Sequence, residues 1–149
     1  MNRTGDDGGG WTAISIRRDG NRPLRFVGRL IDAFDDQRSA LPASFRLLLY
    51  KIQFGGYVIL IDARIGHSDG DVIEKRDQIF LASKIEEICT FVENFDPVGL
   101  LAFNLKTDSV SERSVSSASF KFLNLFHDIK LSYGYAVGQL LSGLAWADL

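Results

Sequence analysis

The chain has 149 residues, of which 46% are hydrophobic and 24% charged, and its formal net charge is −2. This composition is typical of a soluble globular domain, and the length suits one domain with a substantial core better than two. With one cysteine, the chain cannot form an internal disulfide or a zinc site built from several cysteines.

The amino-terminal region is polar and then alternates with the period of two that is typical of β-strands. Residues 1–10 are glycine-rich and lack the features of a secretory signal or transit peptide, so we expect a disordered lead. Residues 11–149 are predicted to form one domain. Its first two strands span residues 11–18 and 24–34, with a turn between them.

In the second predicted strand, simple alternation places most of the apolar residues on one face. Asp32 interrupts this face. The residues predicted to share it are Leu24, Phe26, Gly28, Leu30 and Phe34.

Three more predicted strands follow. Residues 45–54 are apolar on both faces, which is typical of a central strand. The Phe54-Gly55-Gly56-Tyr57 stretch predicts a tight hairpin turn of the primed type, after which residues 57–65 return. Residues 78–82 form the fifth strand. Five strands joined by short turns predict an antiparallel meander.

The period then becomes helical. Ser83 and Glu86 match a capping box, and residues 85–95 carry apolar side chains at helical spacing up to Asp96-Pro97. A second helix is predicted over residues 119–147. The expected fold is α+β, an antiparallel five-stranded β-meander followed by two α-helices packed on one face of the sheet.

Between these helices the pattern is ambiguous. Residues 98–105 fit either a sixth strand or a packed connection, and residues 106–117 are predicted to form a polar loop.

Residues 63–77 contain the residues that most resemble a catalytic group. His67 and Asp69 are two apart, so in an extended chain they lie on one side, as a base and its orienting partner would. Ser68 would be the nucleophile, and Asp71 is nearby. Asp, Ser and Gly are equally typical of a strand connection, which we favour because the spacing is common by chance.

The remaining reactive residue types lack a supporting pattern. His127 has no second histidine four residues on, and Asp69, Asp71 and Asp77 lack the spacing of a calcium-binding loop. Cys89 lies on the apolar stripe of the first helix, where it acts as a small hydrophobic residue. No nucleotide-binding glycine motif occurs. We therefore predict no catalytic residue, no metal and no cofactor.

Positive charge is concentrated in the first third of the chain. Residues 1–51 hold nine Lys or Arg and six Asp or Glu, a net +3, whereas residues 52–149 hold eight and thirteen, a net −5. Guanidinium groups match the oxygens of carboxylates and phosphates, so a cluster would bind an acidic surface. The alternative is an ordinary solvated sheet face. The cluster predicted to bind a partner comprises Arg17, Arg22, Arg25 and Arg29.

Residues 131–147 contain no charged side chain, and Gly134, Gly138 and Ser142 follow one another at intervals of four residues. Small residues at this spacing allow close helix packing, either within the chain or in a homodimer. A membrane span is the alternative, but the segment is short and no basic cluster flanks it. We expect no membrane association.

These observations predict a small non-enzymatic cytoplasmic binding protein of bacterial origin, of the inhibitor, immunity, antitoxin or accessory type. Its expected partner is another protein or a second copy of the chain. The alternatives are an enzyme or small-ligand domain with a site near His67 and Asp69, and a nucleic-acid-associated protein using the arginines. We expect no nucleic-acid partner, because the chain is acidic overall and has no basic run.

Overall fold

A computed structural model describes residues 10–18, 20–36, 43–66, 72–101 and 112–144. Its five strands pair in chain order in one antiparallel sheet, so the predicted meander and the α+β class are confirmed. The strands are β1 (Thr12–Arg18), β2 (Asn21–Asp35), β3 (Ala43–Ile52), β4 (Tyr57–Gly66) and β5 (Val72–Ala82). The described helices are α1 (Ile85–Asn94), α2 (Pro97–Leu101) and α3 (Glu112–Gly143).

The main core lies between the sheet and helices α1 and α3, which pack on one face as predicted. Each large apolar side chain that is fully buried there stabilises the folded state by about 1.5–3 kcal/mol relative to an exposed one. Strand β3 is central, and its odd-numbered side chains from Ala43 to Leu49 are all buried. The helices contribute Ile88, Val92, Ile129, Tyr133, Ala136 and Leu140.

The β1–β2 hairpin bends over the opposite face of the sheet. Pairing of β2 with β3 starts at Gly28 and Ile52, whereas β1 and β2 stay paired as far as Arg18 and Asn21. In a straight strand Leu24 would lie about 13 Å beyond Ile52. Instead the hairpin forms a second core with the sheet. This core contains Ile14, Ile16, Leu24 and Phe26 from the hairpin and Leu48, Tyr50, Val58, Leu60 and Ile79 from the sheet.

Gly28 lies at the bend and has no room for a side chain. An added Cβ would lie 2.5 Å from the Lys51 carbonyl oxygen and 2.8 Å from Cε2 of Phe26. Glycine within a strand is typical of such tight bends, because the neighbouring backbone can approach closely.

A β-bulge at Ile31 makes the predicted face of the second strand wrong beyond Leu30. The pairing shifts by one residue between Leu30, opposite Tyr50, and Asp32, opposite Leu49. The extra residue reverses the alternation, so Phe34 packs on the helix side and not with Leu24. Asp32, which interrupted the apolar pattern, is the first residue after the bulge.

The glycine turn between β3 and β4 is wider than predicted. The Ile52 amide donates to the Gly56 carbonyl at 2.9 Å, and the Gly55 amide donates to the Ile52 carbonyl at 3.2 Å. The connection therefore has three residues, Gln53 to Gly55, and is not a two-residue primed turn. Phe54 adopts a positive φ of 72°.

The helix boundaries differ from the predictions for local reasons. Helix α1 has Lys84 at its N-cap without a side-chain cap, so the predicted capping box is wrong, and Ser83 instead donates to Glu87 at 3.1 Å. Residues 97–101 form a helix and not a strand, because Asp96 accepts from the Val98 amide at 3.0 Å and Pro97 suits a first helical position.

Helix α3 is also shifted toward the amino terminus. Residues 112–117, which were predicted to be part of a loop, belong to it, and it ends at Gly143 and not near residue 147. Glutamate and arginine are good helix formers and glycine is a poor one, which agrees with both shifts. Residues 102–111, which include the rest of the predicted connection and loop, lie outside the described residues.

Candidate functional site

The outer side of the bent β1–β2 hairpin carries a group of basic and apolar side chains. Arg25 is exposed, Val27 is 43% exposed, and the Arg29 guanidinium lies 5.1 Å from the centre of the Trp11 ring. Residues 11–29 contain five arginines and one acidic residue, Asp19. We call this region the basic surface; it comprises Trp11, Arg25, Val27, Arg29, Lys51 and Phe54.

Lys51 and Phe54 join the basic surface through strand pairing. Lys51 lies directly opposite Arg29, so the two side chains share a face. The Gln53 amide donates to the Val27 carbonyl at 2.8 Å, which holds the turn carrying Phe54 against β2. The basic surface is therefore continuous from the hairpin to the tip of the β3–β4 turn.

Phe54 combines an exposed side chain with an unfavourable backbone conformation. Its side chain is 99% exposed, and its backbone adopts a left-handed conformation. A bulky residue seldom adopts that conformation because its Cβ approaches the following carbonyl. The chain thus holds a large apolar side chain in solvent at a conformational cost, which is typical of a functional position.

The four arginines predicted to act together lie in different places. Arg25 and Arg29 belong to the basic surface, whereas Arg17 lines a cleft beneath the hairpin. Arg22 is exposed at the hairpin turn, where its carbonyl accepts from Arg18 Nε at 2.8 Å. The structure thus groups Arg25 with Arg29 and places Arg17 and Arg22 elsewhere on the hairpin, and the binding role of all four stays a prediction.

The polar cleft lies between the hairpin and the sheet and has a volume of about 510 Å³. In its wall, Arg46 and Asp62 form an ion pair at 3.0 Å, and Arg64 pairs with Asp35 on the same face. The polar side chains that line the cleft are Ser15, Arg17, Arg46, Tyr50, Asp62, Arg76 and Asp77.

The chemistry of the polar cleft is that of a paired charge network. Burial raises the pKa of the Tyr50 phenol, although nearby Arg46 lowers it, so the phenol is a hydrogen-bond donor at neutral pH and not a base. Asp62, which could otherwise activate a hydroxyl group, is paired with Arg46.

An acidic groove lies on the helix side, between β5 and α1, with a volume of about 660 Å³. The Phe80 and Phe91 rings in its floor are stacked with centroids 4.1 Å apart, and the Phe95 ring lies 5.6 Å from Phe91. None of the described residues that line it is basic. We define the acidic groove by Phe80, Phe91 and Phe95 in the floor and Glu86, Glu87 and Asp96 at the rim.

The structure describes only some of the other residues that resembled a reactive site. His67, Ser68, Asp69 and Asp71 lie outside the described residues. His127 is exposed on α3. Within the described ranges no three His, Cys, Asp or Glu side chains could hold a metal ion together.

Cys89 is half-buried in α1. Burial raises the pKa of its thiol, and the nearby Glu93 and Glu86 raise it further. The thiolate is therefore disfavoured at neutral pH, which makes Cys89 a poor nucleophile.

Gly134, Gly138 and Ser142 are exposed on the outer face of α3. Beyond the neighbouring residues of its own helix, a Cβ added to Gly134 or Gly138 would meet no described atom within 4 Å, so the two glycines do not pack closely against another part of the described chain. The homodimer interpretation of these residues stays a prediction. In the described part of the chain, no helix combines the length and the apolar character that a membrane crossing needs.

Sequence reasoning found Arg25 and Arg29 but missed Phe54 and the acidic groove. The apolar pattern of residues 45–54 places Phe54 at the end of a strand. Only its positive φ and its exposure distinguish it from an aromatic residue of the core. The signal for the groove is the acidic pair Glu86 and Glu87 beside apolar residues of α1. That pair has a local interpretation, since acidic residues are favoured in the first turn of a helix.

Comparison with known proteins does not assign either surface. No family model matches the chain, and no curated protein and no solved structure matches it significantly.

Proposed function

We propose that the chain is a non-enzymatic binding protein that uses the basic surface to hold an acidic region of a protein partner. The observation that carries this proposal is the fully exposed Phe54, held at positive φ in a turn that is hydrogen-bonded to β2 at Val27. The proposal keeps the expected class, a cytoplasmic protein of the inhibitor, immunity, antitoxin or accessory type.

The composition of the basic surface supports a protein partner. Aromatic residues and arginine are enriched in protein interfaces, and a few such residues supply most of the binding energy. Phe54 would act as the apolar anchor, and Arg25 and Arg29 would pair with carboxylates around it. The Trp11 ring holds the Arg29 side chain in place, which reduces the entropy that binding must remove.

Affinity capture with the full chain tests this proposal. The immobilised chain is exposed to a nuclease-treated extract of its native cell, and retained proteins are identified by mass spectrometry. We expect at least one protein whose retention falls about tenfold or more in Arg25→Glu/Arg29→Glu and in Phe54→Ala.

The matched control is Lys84→Glu/Lys130→Glu, which changes the net charge equally at two exposed residues outside the basic surface. This control should retain the partner. If no protein depends on Arg25, Arg29 and Phe54, or if retention disappears on nuclease treatment because nucleic acid was bound, the proposal is wrong.

A further inference from the structure

We propose that the acidic groove of one copy receives the basic surface of a second copy of the same chain. This inference rests on the proposed function and names a partner for the same basic surface.

The two surfaces complement each other in charge. The groove presents the carboxylates of Glu86, Glu87 and Asp96, and no described residue that lines it is basic. The basic surface presents Arg25, Arg29 and Lys51, and residues 11–29 hold five arginines against one acidic residue. Opposite charges at the rims steer two copies into one orientation and disfavour like-charged pairings.

The two surfaces also complement each other in shape and polarity. The exposed Phe54 and Val27 are apolar projections, and the groove is an apolar depression floored by phenylalanine rings. A volume of about 660 Å³ is within the range that holds drug-sized ligands, so it can take several side chains. Aromatic rings pair favourably with other aromatic rings and with guanidinium groups.

One copy cannot fill its own groove with its own basic surface. The hairpin that carries Arg25 and Val27 covers the face of the sheet opposite the helices. Lys51 alternates with the buried Leu49 and so lies on the helix-side face, but on β3, two strands away from β5. The groove is on the helix side, beside α1. The contact must therefore join two copies. Since it pairs two different surfaces, it is head-to-tail and leaves one unused surface at each end of a dimer.

Sedimentation velocity of the full chain tests the inference, with Arg25→Glu/Arg29→Glu reversing the basic surface and Glu86→Arg/Glu87→Arg reversing the groove. We expect the wild type to associate with increasing concentration, and less so in added salt. Each reversal should raise the dissociation constant at least about tenfold. A 1:1 mixture of the two variants, or a chain carrying all four changes, should associate again.

Circular dichroism establishes that each variant is folded, and Glu86→Gln/Glu87→Gln offers a milder change at the groove that should also weaken association. The inference is overturned if the wild type stays monomeric at every concentration, if the reversals leave association unchanged, or if mixing restores nothing. A monomeric wild type whose protein capture still depends on Arg25 and Arg29 would overturn this inference and leave the proposed function standing. If the Arg25→Glu/Arg29→Glu variant keeps both its self-association and its capture of a protein partner, this inference and the proposed function are both wrong.

Discussion

At the scale of single residues, Phe54 and Tyr133 show opposite uses of an aromatic side chain. Phe54 contacts almost nothing and adopts an unfavourable backbone conformation. Tyr133 is 5% exposed, packs its ring against Phe45 and Phe95, and donates its hydroxyl to the Val92 carbonyl at 2.6 Å. Tyr133 therefore stabilises the fold by joining α3 to α1, whereas Phe54 costs stability and needs a reason outside the isolated chain.

Replacing Phe54 should separate stability from binding. Asparagine tolerates positive φ, so Phe54→Asn should raise the free energy of unfolding by about 1 kcal/mol while it removes the apolar anchor. Alanine lacks the short polar side chain that stabilises asparagine in this conformation, so Phe54→Ala should give no such gain. Urea unfolding measures both variants. A Phe54→Asn variant that is no more stable than Phe54→Ala would show that the positive φ carries little strain.

Replacing Tyr133 should lower stability and change its dependence on pH. Phe at this position leaves the Val92 carbonyl without its partner, which should cost about 1–3 kcal/mol. Burial raises the pKa of the Tyr133 phenol above its ordinary value of 10. Above pH 10 the unfolded chain therefore ionises this phenol while the folded chain does not, and the free energy of unfolding falls as pH rises.

Urea unfolding between pH 8 and about pH 11 checks this prediction. The Tyr133→Phe variant should lose part of the alkaline fall, and Tyr50, whose pKa is also raised, should account for some of the remainder. Leu131→Ala, a change at a side chain that is 59% exposed, is the control and should leave the pH profile unchanged. Identical alkaline slopes in Tyr133→Phe and the wild type would contradict the assignment.

At the scale of elements, two irregularities in β2 place the hairpin over the sheet. Gly28 allows the bend, and the bulge at Ile31 turns the rest of the strand toward the helices. Without the bend, Ile14, Ile16, Leu24 and Phe26 would extend beyond β3 with no surface to cover.

Substitution of Gly28 tests the importance of the bend. The Cβ in Gly28→Ala would lie 2.5 Å from the Lys51 carbonyl oxygen, a backbone atom that cannot move alone. We expect a loss of about 1–3 kcal/mol in unfolding free energy. Gly134→Ala is the matched control, since that glycine is exposed within a helix and should gain about 0.5–1 kcal/mol. Thermal unfolding of both variants compares them, and equal effects would contradict the close approach at Gly28.

At the scale of the whole molecule, the sheet has a core on each face, and the charge division of the sequence becomes a division between surfaces. The hairpin over one face carries arginines of the first 51 residues, and α1 on the other face carries acidic residues of the remainder. The basic surface of one copy can therefore attract the acidic groove of another. Because salt screens exposed charges, added salt should weaken this self-association.

The sequence alone predicted the order and type of the main elements. Alternation and helical spacing are local signals, and they were sufficient to predict five strands, helices α1 and α3, and the central position of β3. They also identified Arg25 and Arg29 as candidate binding residues.

The tertiary structure alone decided which residues share a surface. Alternation is counted along a straight strand, so it could not show that β2 bends at Gly28 or that the bulge moves Phe34 to the helix side. It therefore grouped Arg17 with Arg25 and missed that Phe54 projects into solvent. Surfaces depend on contacts between distant parts of the chain, which a local periodicity does not contain.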